Sequence, residues 1–174
     1  MFRFADGQVQ YQNRFLESQS YQRDTRAQAI VGRHFATQGR PDPCRTIMRN
    51  LRSKLVLSEQ FTDNCQISVY PYGDGLYALT ETPYAYRVDP TNLHTGEKVD
   101  LTQHLSVVSH TAHPHVTRTC TYNIGQGVTL TGPRYNICQF PRTGPQGQAS
   151  DPFKAAKIVA SVACRWRTSP CYMH

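Results

Sequence analysis

The sequence predicts an all-β fold of the sandwich or propeller class. Three observations predict it: short runs of alternating apolar residues, turn signals between those runs, and helical spacing in one stretch only. A hairpin opens the chain. Phe2-Arg3-Phe4 alternates, Asp6-Gly7 supplies a tight turn, and Val9, Tyr11 and Phe15 mark the returning strand. Ile67, Val69 and Tyr70 lead into the turn Tyr72-Gly73-Asp74-Gly75, from which Leu76 to Leu79 return. Tyr84 to Val88 is a further strand, closed by Asp89-Pro90-Thr91-Asn92. Thr121 to Ile124 and Tyr135 to Cys138 read as an antiparallel pair, with Gly125, Gly127, Gly132 and Pro133 between them. Ile158 to Ala163 ends the series, and residues 141–152, punctuated by Pro and Gly, read as a loop. No internal repeat fixes a blade length.

The helical stretch is Cys44 to Leu55. Ile47, Met48, Leu51 and Leu55 share one face, and Arg45, Arg49, Arg52 and Lys54 fill much of the rest. Pro41-Asp42-Pro43 supplies its start. Two readings stand side by side: an ordinary surface helix with its apolar stripe in a core, and a short basic helix lying on a membrane surface.

Composition narrows the class. The 174 residues suit one domain or part of a larger one, and 39% hydrophobic with 18% charged residues excludes a disordered chain. No apolar run is long enough for a membrane-spanning helix, and Met1 to Asp6 has no apolar core of the kind a secretory leader carries. The six cysteines are therefore expected as thiols, and no CxxC pair suggests zinc or a redox motif. The net charge of +7 is uneven: residues 1–54 carry ten basic and four acidic side chains. A nucleic-acid partner is not expected, because aromatics are not interleaved with arginine as RNA-recognition motifs require.

Histidine is concentrated between 94 and 115, at His94, His104, His110, His113 and His115. On an extended strand His113 and His115 face one side, and imidazole is the commonest side-chain ligand of zinc, copper and iron. Surface or core histidines explain the spacing as well. Glu81 ends a strand with few acids nearby. It is either solvated or buried against a partner, and a metal-bound imidazole N–H is one apt partner.

Six segments in one order carry a family resemblance. They are Pro41-Asp42-Pro43-Cys44, Phe61-Thr62-Asp63-Asn64, Thr80-Glu81-Thr82, Thr111-Ala112-His113-Pro114-His115, Tyr122-Asn123-Ile124-Gly125 and Pro170-Cys171-Tyr172-Met173-His174. Together they resemble the carotenoid cleavage oxygenases over nearly the whole chain.

The resemblance implies part of a seven-bladed β-propeller, a few blades only, with a non-haem Fe(II) held on the axis by four histidines. Two of the ligands map to His113 and His174, and Glu81 maps to a carboxylate that hydrogen-bonds a ligand imidazole. His115 is then not a ligand. Phe35 and Thr80 resemble residues lining the substrate cavity, and Cys44 a cysteine that is acylated in a relative. The implied partners are a carotenoid and O2. The implied location is cytoplasmic, with peripheral attachment to membranes through Cys44 and the basic helix at 44–55. The family's third and fourth ligand histidines have no counterpart here, so residues 1–174 are expected to be a partial propeller domain, truncated at both ends and inactive alone. The competing expectation is a catalytically dead propeller fragment or interaction module.

Overall fold

The computed structural model describes residues 1–32, 61–142 and 151–164. The chain divides into two compact units, one of Met1–Leu16 with Cys65–His174 and one of Glu17–Asn64. All described strands belong to the first.

That unit begins with a two-stranded hairpin, β1 (Phe2–Ala5) and β2 (Gln8–Tyr11). Asp6 and Gly7 both sit at positive φ, 50° and 71°, as a two-residue turn matching the strand twist demands. The register sets Phe2 opposite Tyr11 and Phe4 opposite Val9, which brings four apolar side chains to one face. Phe15, expected on the second strand, lies beyond its end.

A four-stranded antiparallel sheet follows in chain order: β3 (Ser68–Tyr72), β4 (Gly75–Leu79), β5 (Tyr84–Val88) and β6 (Thr95–Asp100). Gly73, at φ +60°, opens the two-residue turn between β3 and β4. Strand alternation sends Tyr77, Leu79, Ala85 and Val99 into one core and Ala78 and Tyr86 into a smaller one with Cys65. The sequence reading missed β6. Its buried apolar residue is Val99, so Thr95-Gly96-Glu97-Lys98-Val99-Asp100 shows no alternation; it is held by pairing with β5 and by Lys98 Nζ 3.8 Å above the Tyr84 ring.

The second sheet contains β7 (Ser109–His110), β8 (His115–Val116), β9 (Cys120–Thr129), β10 (Gly132–Pro141) and β11 (Lys157–Ala163). It runs β11-β10-β9, with β7 and β8 both paired to the far side of β9. Here one expectation is corrected. Gly125 and Gly127 are interior residues of β9, and Gly132 and Pro133 begin β10; Leu130-Thr131 alone makes the turn. The two β9 glycines answer to packing. A Cβ at Gly125 would lie 2.6 Å from Val107 Cγ1, and one at Gly127 would lie 2.7 Å from the Ser106 carbonyl oxygen. Residues 106 and 107 thus cross β9 at a distance only glycine allows.

Residues from both sheets share one core. The Tyr72 ring is its centre, edge-on to Phe140 at 5.0 Å and stacked on Phe153 at 5.4 Å, with Leu79, Val107 and Cys138 around it. The sheets are open: β11 is exposed along its whole length, and no closed propeller forms among the described residues.

In the second unit, α1 (Gln19–Ala27) is a helix the sequence reading did not anticipate. Its residues, Gln-Ser-Tyr-Gln-Arg-Asp-Thr-Arg-Ala, show no apolar period. Caps define it instead. Ser18 Oγ accepts from the Tyr21 amide at 3.0 Å, and Gln28 closes the other end at φ 49°. The expected helix at 44–55, with Phe35 and Cys44, lies outside the described residues, as does most of the expected loop at 141–152. Among the described residues no helix is long and apolar enough to cross a membrane.

The close crossing over β9 gives a test. Gly127→Ala must displace a backbone carbonyl, and the expected loss of stability is about 1–3 kcal/mol in denaturant unfolding. A change below about 0.5 kcal/mol, the range of ordinary surface substitutions, would show that the crossing is slack.

Candidate functional site

The strand beside β9 is interrupted. Ser109 and His110 pair with Gln126 and Gly125, and His115 and Val116 pair with Tyr122 and Thr121. Between these pairings, residues 111–114 on one strand face only Asn123 and Ile124 on the other. The surplus forms a bulge, a device that turns a side chain out of the regular alternation. His113 is on this bulge, with its side chain exposed, while Ala112 before it and Pro114 after it are buried.

The backbone of the bulge is held at four polar groups: the Thr111 and His113 amides and the Thr111 and Ala112 carbonyls. The Thr111 amide donates to the Ile124 carbonyl at 2.9 Å. The Thr111 carbonyl accepts from Asn123 Nδ2 at 2.8 Å and lies 2.8 Å from His110 Nδ1. Ser68, at the start of β3, donates its hydroxyl to the Ala112 carbonyl. The His113 amide donates to Thr111 Oγ1 at 3.1 Å. The first sheet therefore helps to fix a loop of the second, and Thr121 Oγ1 adds a second tie by donating to the Pro71 carbonyl at 3.0 Å.

Behind the bulge lies a buried polar cluster. Asn123 Nδ2 reaches Tyr72 Oη and His110 Nδ1, each at 3.1 Å, as well as the Thr111 carbonyl. His110 is 2% exposed, and its Nε2 meets no partner in hydrogen-bond geometry among the described residues. Burial pushes the His110 pKa down. The Thr111 and Tyr84 carbonyls and the Glu81 carboxylate, all of which favour the charged ring, only partly oppose this. Burial also pushes the Tyr72 phenol well up and the Cys138 thiol to about 11, which leaves Cys138 a packed, unreactive group.

The residues singled out from sequence are distributed as follows. Glu81 lies in the connection between β4 and β5, exposed, with buried Thr80 and Thr82 on either side. It comes close enough to the bulge to act electrostatically on His110. His113 and His115 do not share a regular strand, since one is on the bulge and the other begins β8. The two-residue periodicity that suggested a joint chelate does not apply to them. His174, Phe35 and Cys44 lie outside the described residues. Among the described residues no three His, Cys, Asp or Glu side chains converge as metal donors. His113 fits a metal ligand in kind, and the donor set around it is not complete there. The sequence reading missed the roles of His110, Asn123 and Tyr72. The available signal was a polar Asn at an inward position of an alternating strand.

The lowered His110 pKa carries a pH dependence. Below the unfolded value near 6.5, the unfolded chain binds a proton that the folded chain resists. Stability is therefore undiminished above that pH and falls as pH drops toward the lowered folded value. As pH falls below about 6.5, unfolding free energy should fall by up to about 1.4 kcal/mol per pH unit from this group, and His110→Asn should flatten the slope. An unchanged slope in that variant would assign the effect to other groups.

Comparison with known proteins agrees with this architecture. Carotenoid isomerooxygenase of Drosophila melanogaster is 39% identical over 99% of this chain and 27% of its own length. Carotenoid isomerooxygenase of Galleria mellonella is 40% identical over 100% of this chain and 34% of its own. Human beta,beta-carotene 15,15'-dioxygenase is 35% identical over 99% and 32%. The chain thus spans about a third of the length of these relatives. Among solved structures, a point mutant of Synechocystis ACO matches 92% of this chain and 32% of its own with a TM-score of 0.62 at 21% identity. Cobalt-substituted Synechocystis ACO matches 92% and 31%, with a TM-score of 0.60 at 21% identity. At that identity the structures speak for the fold alone. The retinal pigment epithelial membrane protein family matches residues 1–174, end to end, and the chain belongs to this family of carotenoid oxygenases.

Proposed function

We propose that this chain is part of a non-haem Fe(II) dioxygenase that cleaves a double bond of a carotenoid to give retinal-type aldehydes, with isomerisation of a second double bond as an accompanying step. The observation that carries the reading is the 39–40% identity to two insect carotenoid isomerooxygenases over essentially all of this chain. The overall reaction balances without a further reductant: both atoms of O2 enter, one carbon–carbon double bond is lost and two carbonyls form.

His113 and His174 are the proposed metal ligands contributed by this chain. The bulge supports the first assignment, because it leaves His113 exposed on a backbone tied by hydrogen bonds at Thr111, Ala112 and His113. Bound Fe(II) supplies the activation of O2. Glu81 is proposed to accept a hydrogen bond from a ligand imidazole, which fixes the ring and raises its basicity. Thr80 and Phe35 are proposed cavity residues that orient the polyene and exclude water. Closure into seven blades, with the remaining ligands, belongs to the rest of the enzyme. Cytoplasmic location and peripheral membrane attachment through Cys44 and the basic segment 44–55 complete the proposal; one acyl chain alone is marginal, and the basic segment adds the second signal.

A catalytically inert fragment is the second reading. It is kept because the chain spans only 27% and 34% of the length of the two insect relatives. The full-length protein and the 174-residue chain separate the two readings. Each is reconstituted with Fe(II) under reducing conditions and followed by loss of polyene absorbance and appearance of retinal. The full-length protein should turn over, its His113→Ala variant should lose activity, and the 174-residue chain should form no retinal. Retinal from the short chain, abolished by His113→Ala, would defeat the partial-site reading.

A further inference from the structure

We infer that His110, Asn123 and the Thr111 hydroxyl act together as a positioning clamp that aims the His113 imidazole. The inference rests on the proposal that His113 is a metal ligand and names the groups that make it one.

The argument starts from what a bulge costs. Residues 111–114 have lost regular pairing to β9, and their backbone groups need other partners. An exposed bulge takes water, and its side chains then wander. Here the partners are side chains. Thr111 and Ala112 are buried at 5% and 0% exposure, and their carbonyls are met by His110, Asn123 and Ser68. The Thr111 hydroxyl then reaches forward to the His113 amide at 3.1 Å. This bond spans two residues and fixes the backbone at the Cα from which the imidazole projects.

His110 has a role that packing does not explain. A leucine would fill the same space without burying two ring nitrogens. The imidazole is accounted for by its Nδ1, 2.8 Å from the Thr111 carbonyl. With Nδ1 protonated, the ring donates to the Thr111 carbonyl, and the amide of Asn123 donates to the same oxygen from the β9 side. Two donors on one carbonyl oxygen hold the peptide plane between Thr111 and Ala112 against rotation. Groups that orient a metal ligand in this way typically change metal affinity tenfold to a hundredfold when removed, without touching the metal.

The test uses the full-length protein and Co(II) alone as probe, with binding read from the visible d–d absorption and folding from the thermal midpoint. Two controls address the underlying reading: wild type should bind Co(II), and His113→Ala should bind it at least tenfold more weakly. If either control fails, the ligand assignment falls. The clamp is tested by the pair His110→Asn and His110→Gln. Asparagine places an amide nitrogen where Nδ1 stood and should keep affinity within about threefold of wild type. Glutamine carries its amide to the Nε2 side and should bind at least tenfold more weakly, with a shifted d–d band. Wild-type affinity in His110→Gln, or equal losses in both variants, would overturn the clamp. Thr111→Val, which matches threonine in shape and removes only the acceptor for the His113 amide, repeats the test should His110→Gln not fold. Weakened binding with an altered band supports the clamp, and unchanged binding overturns it.

Discussion

An asparagine amide has two N–H groups, and the amide of Asn123 has three acceptors in reach: the Tyr72 hydroxyl, His110 Nδ1 and the Thr111 carbonyl. That arithmetic constrains the whole sheet interface. If His110 carries its proton on Nδ1, the ring serves the Thr111 carbonyl, and Asn123 is free to bond both that carbonyl and Tyr72. Nε2 then carries a lone pair inside the protein, where it meets no hydrogen-bond donor among the described residues. If the proton sits on Nε2, Nδ1 must accept from Asn123, and either Tyr72 or Thr111 loses its donor. In the first arrangement the unmet group is one imidazole lone pair; in the second the ring N–H has the Tyr84 carbonyl beside it, and Tyr72 or Thr111 goes without the amide of Asn123. The first is the one that pins the bulge, with two donors on the Thr111 carbonyl.

Tyr72 couples this polar cluster to the apolar core. Its ring is surrounded by Tyr77, Phe140 and Phe153, and its hydroxyl reaches across from β3 to β9. The aromatic cluster thus sets the distance between the sheets, and that distance decides whether Asn123 can span it. The glycines of β9 act in the same direction. They let Ser106 and Val107 lie directly on the strand, and Ser109 and His110 follow from there into the position where His110 meets Thr111. Packing and hydrogen bonding here form a single constraint: a change in either moves the other.

How much of this was legible in the sequence follows from the same physics. Strands with apolar alternation and turns with Asp-Gly or Gly-Asp were read close to where they occur, because both signals are local. β6 was not, because its partner strand and a cation over an aromatic ring supply what its side chains lack. Gly125 and Gly127 read locally as turn residues, because the segment that crosses them is distant in sequence. Ser18 and Gln28 define a helix without an apolar face, so periodicity passed over it. At the site, His113 stood out as a histidine within a motif. His110 is equally a histidine, three residues earlier, and nothing local separates the two. The register of β9 does: it pairs His110 with Gly125 and leaves His113 on the unpaired surplus.

That division between neighbouring histidines suits the proposed assignment of His113 as a metal ligand. A ligand imidazole must be accessible, neutral and fixed, and in a regular strand accessibility and fixation compete: an outward side chain has solvent around it and its rotamers are free. The bulge separates the two demands by residue. Thr111 and Ala112 take the burial and the hydrogen bonds, and His113 takes the exposure. On the proposed assignment, the entropy of holding the backbone at His113 is then spent in folding rather than in metal binding. For Fe(II), which sits low in the divalent affinity order, retention depends on such preorganisation more than it does for zinc or copper. On the proposed reading the buried clamp and the exposed imidazole are in this sense one device, and the clamp is drawn entirely from residues 110–123.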